Sequence, residues 1–129
     1  MDDRKKISIL IIDDDADFCS MLRIHLSSAG YSAQAAEDAV EGGRALLAHH
    51  FDLVICDIKM PYMDGMDLLK LLRTDERTSK IPVILISGRS GAEAMGKALE
   101  AGAADYLTKP LTRDVLLESV ATCLKKSRP

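Results

Sequence analysis

Cysteine is scarce in this sequence and lacks the paired spacing that a metal site needs. The three cysteines are Cys19, Cys56 and Cys123, and each falls within an apolar, periodic segment. An odd number of isolated cysteines in such positions is typical of reduced thiols in or near the core of a cytosolic protein. We therefore expect no cysteine-based metal centre and no disulfide framework.

Long apolar runs and an excess of positive charge are also missing. No stretch approaches the roughly 20 apolar residues of a membrane span, and no signal-peptide apolar region follows the first residues. The net charge of −3 is unlike the basic surface of a nucleic-acid-binding domain. Neither G-x-x-x-x-G-K-[ST] nor G-x-G-x-x-G occurs, so the common nucleotide-binding loops are excluded. We expect a cytoplasmic protein whose domain binds neither membrane nor nucleic acid.

The composition that remains is that of an ordinary globular domain. The chain has 129 residues, of which 47% are hydrophobic and 29% are charged. We expect a single domain over residues 1–129, with its core from about residue 7 to about residue 124.

Short apolar runs alternate with segments of helical period. The predicted strands are Ile7–Ile12, Tyr31–Ala36, Asp52–Cys56, Ile81–Ile86 and Ala104–Thr108, and predicted helices follow from about Ala16, Glu37, Gly65, Ala92 and Thr112. The helix Glu37–His50 is the weakest, because each glycine of the pair Gly42-Gly43 costs roughly 1 kcal/mol relative to alanine. This alternation predicts a three-layer α/β fold, a doubly wound, flavodoxin-like parallel sheet of strand order 2-1-3-4-5.

Polar side chains end four of the five predicted strands. Asp13 and Asp14 follow the first strand, Asp57 the third, Ser87 the fourth and Lys109 the fifth. Ligands of open parallel sheets bind outside the carboxyl ends of the strands, so we expect these residues to form one site. Lys109 would begin two strands, roughly 10 Å, from Asp57, a gap that a lysine side chain can largely close.

The residue types in this predicted site suit phosphoryl transfer. Three neighbouring carboxylates raise one another's pKa unless a positive charge compensates them. A hard divalent cation, Mg²⁺ above all, suits an all-oxygen site, and Lys109 adds a second positive charge. Ser87 adds a hydroxyl donor. Such a set stabilises a phosphoryl group that passes to Asp57 as the in-line nucleophile.

These residues occur in motifs that resemble a response regulator receiver domain of bacterial two-component signalling. The motifs are ILIIDDD from position 9, DIKMPYMDG from position 57, ISG from position 86 and AGAADYLTKP from position 101. Each motif alone is weakly specific, whereas four in the right order are strongly specific. The resemblance extends from Ile7 to about Leu124.

The resemblance implies a phosphorylation-controlled switch and not a turnover enzyme. Asp57 would accept a phosphoryl group from a sensor histidine kinase or a phosphotransfer protein. Mg²⁺, or another hard divalent cation, would be held by Asp13, Asp14, Asp57 and the backbone carbonyl of Lys59. The protein would catalyse only its own phosphorylation and slow dephosphorylation.

The resemblance also implies roles for residues at the ends of the fourth and fifth strands. Lys109, Ser87 and the backbone N–H of Gly88 would contact the phosphoryl group. Ser87 and Tyr106 would be the switch pair, with Tyr106 turning inward and changing the surface of the fourth helix and fifth strand. The Lys109–Pro110 bond is expected to be cis, against about 5–6% of X–Pro bonds in folded proteins.

Two alternatives account for less of the sequence. A haloacid-dehalogenase-type phosphatase needs Asp-x-Asp-x-Thr/Val after the first strand, but Ala16 and Asp17 follow the aspartates here, and Asp57 would have no role. A receiver-fold scaffold that binds a partner without phosphate would be favoured by loss of an acidic residue, the lysine or the hydroxyl. None of them is lost.

Other features carry weaker expectations. Lys59 and Arg89 lie two residues after Asp57 and Ser87, and we expect their substitution by alanine to change the lifetime of the phosphorylated form. A stand-alone receiver and a piece of a longer regulator both fit the sequence, so the output domain or partner stays open. A homodimer face is a further option, although charges at such positions are usually solvated; its candidate residues are Lys97, Glu100, Asp105, Arg113 and Glu118.

Overall fold

Five strands alternate with five helices in the computed structural model, which describes residues 6–88 and 92–127. The strands are β1 (Ser8–Ile12), β2 (Ser32–Ala36), β3 (Leu53–Asp57), β4 (Val83–Ser87) and β5 (Asp105–Thr108). The helices are α1 (Ala16–Ser28), α2 (Ala39–Ala48), α3 (Gly65–Thr74), α4 (Ala92–Glu100) and α5 (Arg113–Ser127). The predicted elements are all present. The predicted bounds of β3 and β4 were too early, because Asp57 and Ser87 are themselves the last residues of their strands.

The strands form one parallel sheet in the order β2-β1-β3-β4-β5, which confirms the predicted fold. Every residue of β3 and β4 is buried. Burial on both faces is what their uninterrupted apolar sequences predict, because helices cover both sides of a doubly wound sheet. β2 lies at an edge, as the predicted strand order requires, and most of it is accessible to solvent.

Alternate residues of the central strands face two separate cores. Ile9 and Ile55 point toward α1 and α5, where they pack with residues such as Leu116. Leu10 and Val54 point toward the other face, which α2, α3 and α4 cover. The period-2 alternation of β-strand side chains therefore divides one apolar sequence between two layers.

Side chains that flank the helices fix where several of them begin. The carboxylates of Asp15 and Asp64 accept hydrogen bonds from the N–H groups of Phe18 and Asp67, and so cap α1 and α3. The hydroxyl of Thr112 accepts from an N–H in the first turn of α5. Among the helices of the described residues, none is both long enough and apolar enough to cross a bilayer.

Helix α2 forms despite its two adjacent glycines, and packing explains one of them. Gly42 is buried, and a Cβ there would lie 2.5 Å from Cδ1 of Ile12. The missing side chain lets α2 approach β1 closely. A Cβ on Gly43 would meet nothing within 4 Å.

Candidate functional site

Three aspartates meet at the carboxyl edge of the sheet. Asp13 and Asp14 follow β1, Asp57 ends β3, and the two strands are hydrogen-bonded neighbours. One carboxylate oxygen from each lies within 4.8 Å of the others. Asp13 and Asp57 are buried, with relative exposures of 3% and 7%, whereas Asp14 is exposed. The structure thus brings together the three carboxylates that the sequence placed at one edge.

Lys109 reaches this cluster from β5. Its Nζ lies 3.2 Å from Oδ2 of Asp13 and 3.7 Å from Oδ2 of Asp57. Its backbone N–H donates to the carbonyl oxygen of Ser87 at 2.8 Å, which ties the end of β5 to the end of β4. The Lys109–Pro110 peptide bond is cis, as expected. A lysine is long enough to cross the intervening strand, so one ammonium group serves carboxylates from two other strands.

The surroundings of Asp57 favour its protonated form. Burial raises the pKa of the Asp57 carboxyl, and the charge of Asp13 raises it further, while Lys109 and a hydrogen bond from the N–H of Ile58 act in the opposite direction. For Lys109, burial by itself acts to lower the pKa, but the hydrogen bond and charge of Asp13 and the charge of Asp57 outweigh it and raise the pKa. When all three aspartates are ionised, a single ammonium group lies among three carboxylates, and the site carries an excess of negative charge.

This donor set fits a hard divalent cation. All of its donors are carboxylate oxygens, the ligands that Mg²⁺ and Ca²⁺ prefer, and Mg²⁺ needs only a few of them because it retains water. Within residues 6–88 and 92–127, this is the one group of three or more acidic, histidine or cysteine side chains close enough to share an ion. A cation there would compensate the excess charge. Lys59, whose carbonyl was the fourth predicted ligand, lies exposed in the loop after β3.

Two buried thiols next to the carboxylates are not candidate nucleophiles. The Sγ of Cys19 donates to the carbonyl oxygen of Asp13 at 3.4 Å, and that of Cys56 to the carbonyl oxygen of Asp57 at 3.3 Å. Burial raises the pKa of Cys19 to about 11 and also raises that of Cys56. Both thiols therefore stay protonated near neutral pH and serve as apolar core residues. Cys123 is likewise free and buried, which confirms the assignment of all three cysteines to the core.

The loop between β3 and α3 packs tightly against Asp57. The N–H of Gly65 donates to the carbonyl oxygen of Ile58 at 2.8 Å. A Cβ on Gly65 would collide with the carbonyl oxygen of Asp57 and lie 3.0 Å from Cα of Ile58. Only glycine therefore lets α3 begin this close to the end of β3.

The remaining predicted site residues lie on β4 and β5 or just after them. Ser87 is the last residue of β4 and is buried, and Gly88 follows it and is exposed. Tyr106 pairs with Leu85 across β4 and β5, is 4% exposed, and packs in the core beneath α4. Arg89, the second basic residue predicted to border the phosphoryl group, lies outside the described residues.

Phe18 was not among the residues that the sequence placed at the site, but the structure places it there. The ring of Phe18 lies beside Lys109, with Nζ 4.3 Å from its centroid. Its position in the first helical turn after the aspartates was the available signal. Phe18 is partly buried and packs against the core under α1, so an apolar residue at this position is also explained by packing alone.

Several charges of the predicted dimer face have partners within the chain. Ser119 Oγ donates to Oδ2 of Asp105 at 2.6 Å, and the guanidinium of Arg113 donates to Oγ of Ser28 at 3.0 and 3.1 Å. Lys97 lies 3.5 Å from a glutamate of its own helix. A homodimer across α4, β5 and α5 stays a prediction.

Comparisons with known proteins give one family. Residues 9–121 match the model of the response regulator receiver domain. The DNA-binding dual master transcriptional regulator RpaA of Synechocystis is 35% identical over 119 residues, which cover 92% of this chain and 49% of RpaA. The transcriptional regulatory protein ZraR of Salmonella typhimurium is 37% identical over 125 residues, 97% of this chain and 28% of ZraR. The chain thus spans about half, or less, of the length of these relatives.

Solved structures agree with these sequence matches. A putative response regulator from Chloroflexus aurantiacus superimposes with a TM-score of 0.89 at 32% identity, over 94% of this chain and 99% of that one. The two folds are therefore alike over nearly the full length of this chain.

Proposed function

The chain belongs to the response regulator receiver domain family, and from this premise we propose that Asp57 accepts a phosphoryl group from a histidine kinase or phosphotransfer protein in the cytoplasm. The observation that carries the proposal is the approach of Lys109 Nζ to 3.7 Å from Oδ2 of Asp57, beside the carboxylates of Asp13 and Asp14. A carboxylate with an adjacent ammonium and a place for a cation can attack phosphorus without accumulating unpaired negative charge.

The reaction is a displacement at phosphorus. A lone pair on a carboxylate oxygen of Asp57 forms the new O–P bond, while the P–N bond of the phosphohistidine donor breaks and its electrons return to the imidazole. Lys109 neutralises the phosphoryl oxygens, and the hydroxyl of Ser87 and the N–H of Gly88 donate hydrogen bonds to them. The product is an aspartyl phosphate, which water later cleaves at phosphorus, so the protein is a switch whose phosphate is returned as inorganic phosphate.

Mg²⁺ fits the same site in this proposal. Asp13, Asp14 and Asp57 would hold it together with the backbone carbonyl of Lys59, and when bound it would supply positive charge to the oxygens of the phosphoryl group. The excess negative charge of the aspartate cluster supports this assignment, because a single ammonium does not balance three carboxylates.

The output follows from the switch pair. We assign the response to Ser87 and Tyr106, through a change in the surface formed by α4 and β5 that biases a two-state element. Tyr106 is buried in this structure, which is the inward position that the proposal assigns to the phosphorylated form. RpaA and ZraR are named transcriptional regulators, and we propose control of transcription as the output when this domain acts within a longer regulator.

The alternatives receive less support. A phosphate-independent scaffold has no need of three clustered aspartates with a lysine beside two of them. In a dehalogenase-type phosphatase the nucleophile would follow β1, which leaves the buried Asp57 without a function.

Incubation with acetyl phosphate and Mg²⁺, followed by intact mass measurement, tests the proposal. We expect one added phosphate on the wild-type protein and none on the Asp57→Asn variant. Asp67→Asn is the matched control, because Asp67 is an exposed carboxylate on α3, and it should take up phosphate as the wild type does. A wild-type protein that gains no mass, or an Asp57→Asn variant that still gains it, would refute the assignment.

A further inference from the structure

Within the described part of the chain, three groups that lie near the Lys109 ammonium are of two chemical kinds. Two are carboxylates, Asp13 at 3.2 Å and Asp57 at 3.7 Å. The third is the ring of Phe18, whose centroid lies 4.3 Å from Nζ. A cation within about 6 Å of an aromatic face is attracted by the negative face of the ring quadrupole.

The backbone of Phe18 is held by the capped first turn of α1, and its side chain packs against apolar residues. The backbone N–H of Phe18 donates to the capping carboxylate of Asp15 at 3.1 Å, which fixes the first turn of the helix. The side chain is partly buried and packs against the core beneath α1 and α5. The ring is therefore held by the first turn of α1 and by apolar packing.

Both carboxylate neighbours of Lys109 have other partners in the proposed function. Asp57 is the phosphoryl acceptor, and Asp13 belongs to the cluster suited to a divalent cation. If Asp13 also held a cation, its attraction for Lys109 would be weaker, and the cation would repel the ammonium. The uncharged ring keeps its attraction unchanged.

We propose that Phe18 is a positioning residue that holds the Lys109 ammonium beside Asp57 when Asp13 no longer can. This inference rests on the proposed function of the site. It assigns to an aromatic residue on α1 the placement of the lysine that neutralises the incoming phosphoryl group.

Three variants separate ring electrostatics from packing. Phe18→Leu keeps an apolar side chain but removes the aromatic face, and Phe18→Tyr keeps the face. Phe18→Met supplies a second non-aromatic replacement should the leucine variant fold poorly, which urea unfolding will show. Each is also made in a Lys109→Ala background, because a residue that acts through Lys109 has no further effect once the lysine is gone.

The first measurement is the rate of phosphate uptake from acetyl phosphate with Mg²⁺. We expect Phe18→Leu and Phe18→Met to react about three- to tenfold more slowly, the range that a partly desolvated cation–π contact supports. Phe18→Tyr should stay within about twofold of wild type. In the Lys109→Ala background, proteins with phenylalanine or leucine at position 18 should take up phosphate at the same rate. If Phe18→Leu slows uptake by the same factor with and without Lys109, the proposal is overturned.

The second measurement does not depend on phosphorylation. Ring current from Phe18 should shift the ε-methylene proton signals of Lys109 upfield in the NMR spectrum of the wild type and of Phe18→Tyr, with and without Mg²⁺. The shift should vanish in Phe18→Leu. Unchanged lysine signals in that variant would overturn the inference, whereas a wild type that shows the shift but takes up no phosphate would refute only the proposed function.

Discussion

The ammonium of Lys109 lies 3.2 Å from Oδ2 of Asp13, although 96 positions separate the two residues in the sequence. Asp13 is almost fully buried, and Lys109 is also 3.7 Å from Asp57. A single positive charge is thus shared between two buried carboxylates, with a third at the surface. The site balances its charges incompletely, and its stability should respond to pH, to divalent cations and to removal of one carboxylate.

The Asp57→Asn variant should be more stable than the wild type at neutral pH without divalent cations. The pKa of Asp57 is raised in the folded protein, so the folded state binds a proton at this carboxyl more tightly than the unfolded state does. The stability that this proton contributes is fully present below the unfolded-state pKa. That contribution is lost as pH rises through the folded-state value. The gain should be on the order of 1 kcal/mol at pH 7.5 and should shrink toward pH 4, as urea unfolding at both pH values will show. Mg²⁺ should also reduce the difference in the free energy of unfolding between the variant and the wild type. A difference that changes neither with pH nor with Mg²⁺ would contradict this account.

The Gly65→Ala variant should impair both stability and phosphorylation. The new Cβ would meet the backbone of Asp57 and Ile58, which cannot rotate away as a side chain can. We expect a loss of about 1–3 kcal/mol, the usual cost of overpacking, together with slower phosphate uptake. Gly96→Ala is the control, because a Cβ there has open space in α4, and it should not slow uptake. Normal uptake by Gly65→Ala would show that the contact is unimportant for Asp57.

The two glycines of α2 should respond to alanine with opposite signs. Gly43→Ala adds a side chain in open space and should raise the free energy of unfolding by up to about 1 kcal/mol, because alanine is the better helix former. Gly42→Ala gains the same propensity but places its Cβ 2.5 Å from Cδ1 of the fully buried Ile12, and should be destabilising. Thermal or urea unfolding of the two variants provides the comparison, and equal shifts would refute the close approach of α2 to β1.

Replacing Arg73 with lysine should lower the free energy of unfolding. Its guanidinium donates to the carbonyl oxygens of Ser79, Ile81 and Gly102 at 3.1, 2.9 and 3.1 Å, and so connects the loop after α3 to the turn after α4. A lysine lacks the planar fork that reaches both segments, so Arg73→Lys should cost about 1–3 kcal/mol. Arg77→Lys is the control, because Arg77 is exposed and pairs with Asp75, two positions before it. Similar losses for both variants would show that the fork is not what matters.

The sequence predicted the architecture because its signals are local. Buried strands such as β3 are uninterrupted apolar runs, and Asp15, Asp64 and Thr112 mark helix starts through bonds to residues only three positions away. Alternation of strands and helices then leaves few topologies open, because crossovers between parallel strands are right-handed. From that topology alone, Asp13, Asp14 and Asp57 could be expected at one edge.

Tertiary structure decided what the side chains do once they meet. Whether Lys109 pairs with Asp13, with Asp57 or with solvent depends on how its side chain crosses the end of β4, and no spacing in the sequence specifies this. The placement of Phe18 against that lysine depends on how α1 packs on the sheet, and the need for Gly42 and Gly65 depends on distances of a few ångströms between segments far apart in the chain. The periodicity of apolar residues predicts the fold because it is a pattern among residues close in sequence. The ion pairs, the position of the Phe18 ring and the close contacts of the site depend instead on packing between segments far apart in the chain.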